Sequence, residues 1–274
     1  MRTLYDRVAV VTGAGSGIGR ATAVALAEKG CHLALVDVSE PGLDETARLV
    51  RALGRRASTH VADVSDAEQV GRLPAAVATE HGGCHVLVNN AGVTTAGAFE
   101  DETLEDLRWM FGVNVWGVVH GCRAFLPVLR AADEAHIVNM SSMAGLLGLP
   151  HNASYGLTKG AVRAFTEGLR SELITTRIGV TAVFPGAINT NIAGSARGGE
   201  AARLHRLGAS RLAPVVMRPP RAVAKRVVRA IENDRARVVV GPDARALDLV
   251  ARVVPGRSGL VGRFTNRVVT RSKR

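Results

Sequence analysis

Aromatic residues are scarce in this chain of 274 residues, at 4%, although 47% of it is hydrophobic. Its core must therefore be packed from small and branched side chains such as alanine, valine and leucine. Cysteine is scarce too. Cys31, Cys84 and Cys122 are far apart and odd in number. They match neither zinc nor disulfide spacing, which leaves three reduced thiols. No stretch approaches the ~18 uninterrupted apolar residues of a membrane span. Residues 1–7 lead straight into an apolar strand without the apolar segment of a secretory signal, so a cytoplasmic location is expected. An acidic excess is also missing, and the net charge is +11. Residues 1–217 carry 20 basic and 20 acidic side chains, whereas residues 218–274 carry 15 and 4. The body is neutral and the end is basic.

Short apolar, β-branched runs alternate with helical patterns along the chain. The strand runs are Arg7–Thr12, His32–Asp37, Ala57–Ala62, Val86–Asn89, His136–Ser141, Gly179–Phe184 and Arg237–Gly241. Helical patterns cover about 18–29, 41–52, 66–80, 104–129 and 153–175. Strands apolar on both faces and separated by helices predict an α/β fold: a doubly wound parallel sheet, Rossmann-like, with helices on both faces. No linker or internal repeat divides it. The expected organisation is one domain over 1–255, with a substrate lid at about 191–220, followed by a basic tail over 256–274.

Gly13, Gly15, Gly17 and Gly19 fall in the turn between the first strand and the first helix, with Ser16 and Ile18 among them. Glycine permits a tight turn and close approach of a ligand, and the helix N-terminus favours a phosphate. The spacing is Thr-Gly-x-x-x-Gly-x-Gly rather than G-x-G-x-x-G. Asp37 ends the second strand, where a carboxylate accepts hydrogen bonds from both hydroxyls of an adenosine ribose and repels a 2′-phosphate. Its neighbour Val38 supplies no counter-charge, and Arg20 is expected to point elsewhere. The cofactor predicted is NAD.

Tyr155 and Lys159 are one helical turn apart and so share a face. A phenol titrates near pKa ~10, and a close ammonium is expected to favour the phenolate and make it a usable base. Such a pair takes a proton from an alcohol while a bound cofactor takes the hydride.

These motifs, together with Asp63-Val64, Asn89-Asn90-Ala91-Gly92, Asn114, Ser141-Ser142 and Pro185-Gly186 through Thr190, resemble those of the short-chain dehydrogenase/reductase family, of its compact single-domain type. The resemblance covers about residues 5–192. It implies that Asp63 and Val64 contact the adenine, and that the Asn90-Ala91-Gly92 turn packs against the adenosine ribose. Pro185, Gly186, Ile188 and Thr190 would hold the nicotinamide end. Lys159 would bond the nicotinamide ribose and lower the Tyr155 pKa. Thirteen residues before the tyrosine, Ser142 rather than Ser141 is the implied catalytic serine. Asn114 would anchor a water linking Lys159 to solvent.

The loop Met143–Ala153 is mostly apolar and points to a hydrophobic secondary alcohol or ketone, with His151 read as a solvated loop residue. Arg197 and its basic neighbours read as the outer face of the lid. A rival reading is an NADPH-dependent ketoacyl reductase, which an arginine beside Asp37 would favour. Another is a non-catalytic dinucleotide-binding protein, which loss of Ser142, Tyr155 or Lys159 would favour. The long helices suggest a homo-oligomer, a dimer or tetramer. In the tail, Arg263, Arg267 and Arg271 recur among Leu260, Phe264 and Val268, as in a helix that contacts an anionic membrane surface or one that packs with a solvated arginine face. Nucleic-acid binding is not expected, because stacking aromatics are missing.

Overall fold

The computed structural model describes residues 1, 3–190, 192, 194, 196–199, 217–254 and 259. Most of the expected lid and all but Gly259 of the expected tail lie outside these residues.

Seven parallel strands form one sheet in the order β3-β2-β1-β4-β5-β6-β7. They are β1 (Val8–Thr12), β2 (His32–Asp37), β3 (Ala57–Val61), β4 (Val86–Asn89), β5 (Ala135–Met140), β6 (Ile178–Pro185) and β7 (Arg237–Val240). Side chains of a strand alternate between faces, and the core divides accordingly. Ala9, Val11, Leu33, Leu35, Val86 and Val88 lie in one cluster with α1 (Gly17–Glu28) and α2 (Glu40–Ala52). Val8, Val10, Ala34, Val36 and Leu87 lie in the other, with α3 (Ala67–His81), α5 (Gly117–Ala131) and α6 (Ala153–Glu172). Both faces are covered, which is why the strands read as continuous apolar runs.

Two departures from expectation have physical causes. The helix expected over 104–129 is broken into α4 (Leu104–Phe111) and α5 by a π-helical turn, Gly112–Trp116. The extra residue in that turn carries the buried Asn114, whose side chain holds the backbone of Val93 on the loop after β4. The glycines that flank the turn permit close approach: a Cβ at Gly117 would lie 2.7 Å from Val64 Cγ2. The second departure is α7 (Pro220–Glu232), a helix absent from the expectations above. It buries Val223, Val227, Val228 and Ile231 beside α1 and turns its basic residues outward. The chain then passes through β7 to α8 (Pro242–Val253). No helix among the described residues is long and apolar enough to cross a membrane.

Candidate active site

From β1 the sheet grows in both directions, with β2 on one side and β4 on the other. The crossovers leave a crevice at the C-terminal ends of these strands. A cleft of about 670 Å³ opens there. Every site residue expected from the sequence lines it except Gly15, Gly19 and Asn114. Gly19 packs behind Gly13 and Asn114 behind Gly92, both of which line it. A Cβ at Gly19 would overlap the Gly13 carbonyl, so Gly19 lets α1 close onto the turn.

The dinucleotide half is held by backbone groups. Gly13 has φ +64, and a Cβ there would lie 2.8 Å from Asn90 Nδ2. Asn90 Nδ2 donates to the Thr12 carbonyl at 2.9 Å, and Thr12 Oγ1 accepts from the amides of Asn90 and Ala91. The ends of β1 and β4 are thereby stapled together. At the start of α1, Ser16 makes no side-chain capping bond and the first turn has no acidic residue. Its N–H groups therefore face the cleft uncapped by side chains, as a phosphate requires.

Asp37 Oδ2 accepts from Gly15 N at 2.8 Å and Oδ1 from Ser39 N at 2.9 Å. The carboxylate is thus fixed at the rim. Arg20 is turned away as expected: its guanidinium bonds the carbonyls of Gly15 and Gly42 and the Thr46 hydroxyl. Val38 is 67% exposed. Nearby, Asp63 Oδ1 accepts from the amide and hydroxyl of Ser65. These residues fit the adenosine half of a dinucleotide.

At the other end, Ala187 N donates to Asp243 Oδ2 at 2.6 Å, and Arg218 bridges to Ile188 through backbone bonds to Ala187 and Asn189. A Cβ at Gly186 would overlap the Asp243 carboxylate. Asp243 therefore fixes the loop from Pro185 to Thr190. The sequence reading missed it because its partners lie 56 residues away.

In the reacting half, α6 brings Tyr155 and Lys159 under the end of β5, which carries Ser141 and Ser142. Ser141 is buried and donates to the Lys159 carbonyl at 2.7 Å. Ser142 instead faces the cleft with Tyr155 and accepts from Ala144 N. Lys159, 2% exposed, donates from Nζ to the Met140 carbonyl at 3.1 Å and sits 5.8 Å from the Tyr155 ring centroid.

The electrostatics correct one expectation. Burial pushes the Tyr155 phenol above its ordinary value, with the neighbouring Ser142 hydroxyl pulling the other way. Burial also lowers Lys159 to about 8. Both groups lose hydration, which disfavours phenolate and ammonium alike, so the ammonium does not simply bring the phenol down. Of the two, Lys159 releases its proton first. Asn114 Oδ1 accepts from Val93 N, and its Nδ2 donates to Val93 O and Thr158 Oγ1. The side chain thereby holds the loop beside Gly92.

The substrate end adds Val93, Thr94, Trp109, Val113, Asn152 and Met217 to the residues expected. Arg197, read as part of a solvated lid face, lies 4.0 Å over the Trp109 ring and 3.6 Å from Asp106. Its backbone pairs with Thr94 and Ala96. His151, expected to be solvated, instead has a buried Nδ1 without a partner.

An open parallel sheet with a glycine-turn cradle, and an acid closing its second strand, defines a dinucleotide-binding α/β protein. A sequence model described as short chain dehydrogenase matches residues 7–201. The chain is 40% identical over 256 residues to a protein of Mycobacterium tuberculosis (strain ATCC 25618 / H37Rv) described as "Putative oxidoreductase SadH", covering 93% of each. It superposes on a short chain dehydrogenase/reductase from Burkholderia phymatum in complex with NAD, with a TM-score of 0.84 and 33% identity, over 92% of this chain and 95% of that one. An alcohol dehydrogenase from Thermococcus sibiricus complexed with 5-hydroxy-NADP gives 0.72 and 30%, over 85% and 94%. The chain belongs to the short-chain dehydrogenase/reductase family and is an oxidoreductase.

Proposed function

We propose that this protein uses NAD(H) to interconvert a hydrophobic secondary alcohol and its ketone, with Tyr155 as the general acid/base. The observation that carries this reading is the convergence of Ser142, Tyr155 and Lys159 in the one cleft that also contains Asp37 and the glycine turn. Gly13, Ser16, Gly17 and Ile18 would hold the pyrophosphate, Asp37 the adenosine ribose, and Pro185 to Thr190 the nicotinamide end. Bound there, the nicotinamide would supply the hydride acceptor or donor. Ser142 orients the substrate oxygen, and Tyr155 takes its proton during oxidation or returns it during reduction. Lys159 shares that proton. Burial sets Lys159 to about 8, so its ammonium is kept below that pH and lost above it, while the phenol holds its own proton to higher pH.

Val93, Trp109, Val113, Ile192 and Met217 line the substrate end and favour an apolar body. The carboxylate of Asp37, followed in sequence by Val38 rather than an arginine, favours NAD over NADP. Leu104, Trp116 and Leu157 are each more than half exposed on the α4–α6 side, where a second copy of the chain would cover them.

The test is a panel of hydrophobic secondary alcohols with NAD, followed by absorbance of the reduced nicotinamide. Tyr155→Phe should still bind NADH but lose about 10²–10⁴-fold in turnover. Near-normal turnover in that variant would overturn the reading. A lower KM for NADP than for NAD would overturn the cofactor assignment.

A further inference from the structure

Tyr155 projects from the first turn of α6, the part of a helix least held by its own hydrogen bonds. Local sequence does little to secure that turn. Asn152 makes no side-chain capping bond, and the first turn has no acidic residue. Just before it, His151 has φ +58, a left-handed conformation that a non-glycine residue keeps only where its surroundings impose it. The restraint has to come from elsewhere in the fold.

Glu102, between β4 and α4, supplies it. One of its carboxylate oxygens accepts from the Ser154 hydroxyl, and the other accepts from the Thr95 hydroxyl at 2.6 Å. Ser154 is 2% exposed and Thr95 3%. Both of these bonds go to buried hydroxyls rather than to a cation. A carboxylate placed at the start of α6 also meets the positive end of the helix dipole. Thr95 in turn adjoins Thr94 on the cleft wall and bridges to Arg197. One side chain thus ties the helix that carries the phenol to the wall that would face the substrate.

We propose that Glu102 is a positioning residue for Tyr155, holding the first turn of α6 through Ser154 so that the phenol stays aimed at the reacting oxygen. This rests on the hydride-transfer reading above. Without the carboxylate, two buried hydroxyls lose their acceptor and the turn is free to shift. Small displacements of a reacting group cost rate steeply. Glu102 is not among the residues that line the cleft, so cofactor binding should be spared.

The experiment compares wild type with Glu102→Ala, Glu102→Gln and Ser154→Ala, using an alcohol that the wild type oxidises. It reads kcat, NADH affinity by fluorescence, and the solvent deuterium isotope effect on kcat/KM. Glu102→Ala should lower kcat by roughly 10–100-fold, with NADH affinity unchanged within about twofold. Its solvent isotope effect should rise, because proton transfer to a displaced phenol becomes slower. Glu102→Gln, whose amide oxygen still accepts from Ser154, should recover most of kcat, and Ser154→Ala should fall between. Should Glu102→Ala fail to fold, the Gln and Ser154 variants carry the test through the same isotope signature. Wild-type kcat in the folded variants sinks the proposal. So does a loss of kcat with an unmoved isotope effect and an equal loss of NADH affinity. A wild type that oxidises and reduces nothing sinks the hydride-transfer reading itself.

Discussion

The two halves of the cleft are built by different rules. Around the dinucleotide crevice, backbone meets backbone or a short side chain: Asn90 on the Thr12 carbonyl, Asp37 on Gly15 N, and Gly186 N on the Val240 carbonyl. Backbone groups are obligatory partners and sterics leave few residue choices, so these positions carry glycine, asparagine or aspartate. At the substrate end, side chains from α4, the loop after β4, the start of α6 and Met217 pack across long gaps in sequence. Apolar packing of that kind tolerates exchange. The first half is therefore rigid and chemically specific, and the second is adaptable.

If the crevice is as unforgiving as this, one methyl group at Gly19 should do the most damage. An alanine there overlaps the backbone carbonyl of Gly13, which cannot swing aside as a flexible side chain would. The turn must open, at about 1–3 kcal/mol of stability, and the phosphate cradle is lost with it. Gly71 in α3 is the control, because a Cβ there meets nothing within 4 Å. Gly71→Ala should be neutral or stabilising by up to about 1 kcal/mol, through helix propensity. Chemical denaturation and NADH titration of both variants measure the contrast. Equal behaviour of the two would show that the turn is not held as described.

Lys159 stands where the two halves meet, and its burial has a thermodynamic consequence. Its folded pKa of about 8 lies below the ordinary lysine value of 10.5. Below pH 8 both folded and unfolded chains bind the proton, and the folded state carries the full penalty for an ammonium without water. Between 8 and 10.5 only the unfolded chain keeps the proton, so stability rises with pH; above 10.5 the penalty is gone. At pH 7 the net penalty is about 3 kcal/mol. Lys159→Met should therefore stabilise the protein by about 1–3 kcal/mol at pH 7, gain little near pH 10.5, and lose turnover. Urea unfolding at the two pH values measures this. A gain independent of pH would mean that the ammonium is not buried as found.

The same contrast governs what the sequence could reveal. All seven strands were readable, because each is set off by punctuating turns, and the inner strands are apolar runs buried on both faces. The glycine turn and Asp37 were readable because their spacing is short-range. The π-helical turn at Asn114 was not, since its cause, a bond to the Val93 backbone, appears only once β4 and α4 are adjacent. Helix α7 could have been found: Pro220 opens it, and Val223, Val227 and Ile231 recur every fourth residue. Read from the sequence, this stretch has no assigned element, and its basic residues count only towards the basic end of the chain. The Tyr155 phenol was misjudged because spacing shows which charge is near but not how much water both groups lose.

The smallest effect belongs to the adaptable half and sharpens its description. Arg197 holds the chain after β6 against the cleft wall, through its stack on Trp109 and its ion pair with Asp106. Its side chain is 45% exposed, so solvent screens both contacts. A cation–π contact at such a site is worth about 0.5–1 kcal/mol, or roughly two- to fivefold in an equilibrium constant. Arg197→Ala should therefore raise KM for a hydrophobic alcohol by about that factor, leaving kcat and KM for NAD unchanged. Arg197→Lys should behave nearly as Ala, because an ammonium cannot lie flat on the indole as a guanidinium does. A fall in kcat instead would mean that the wall at Trp109 shapes the reacting geometry, and that the substrate end is no more forgiving than the crevice.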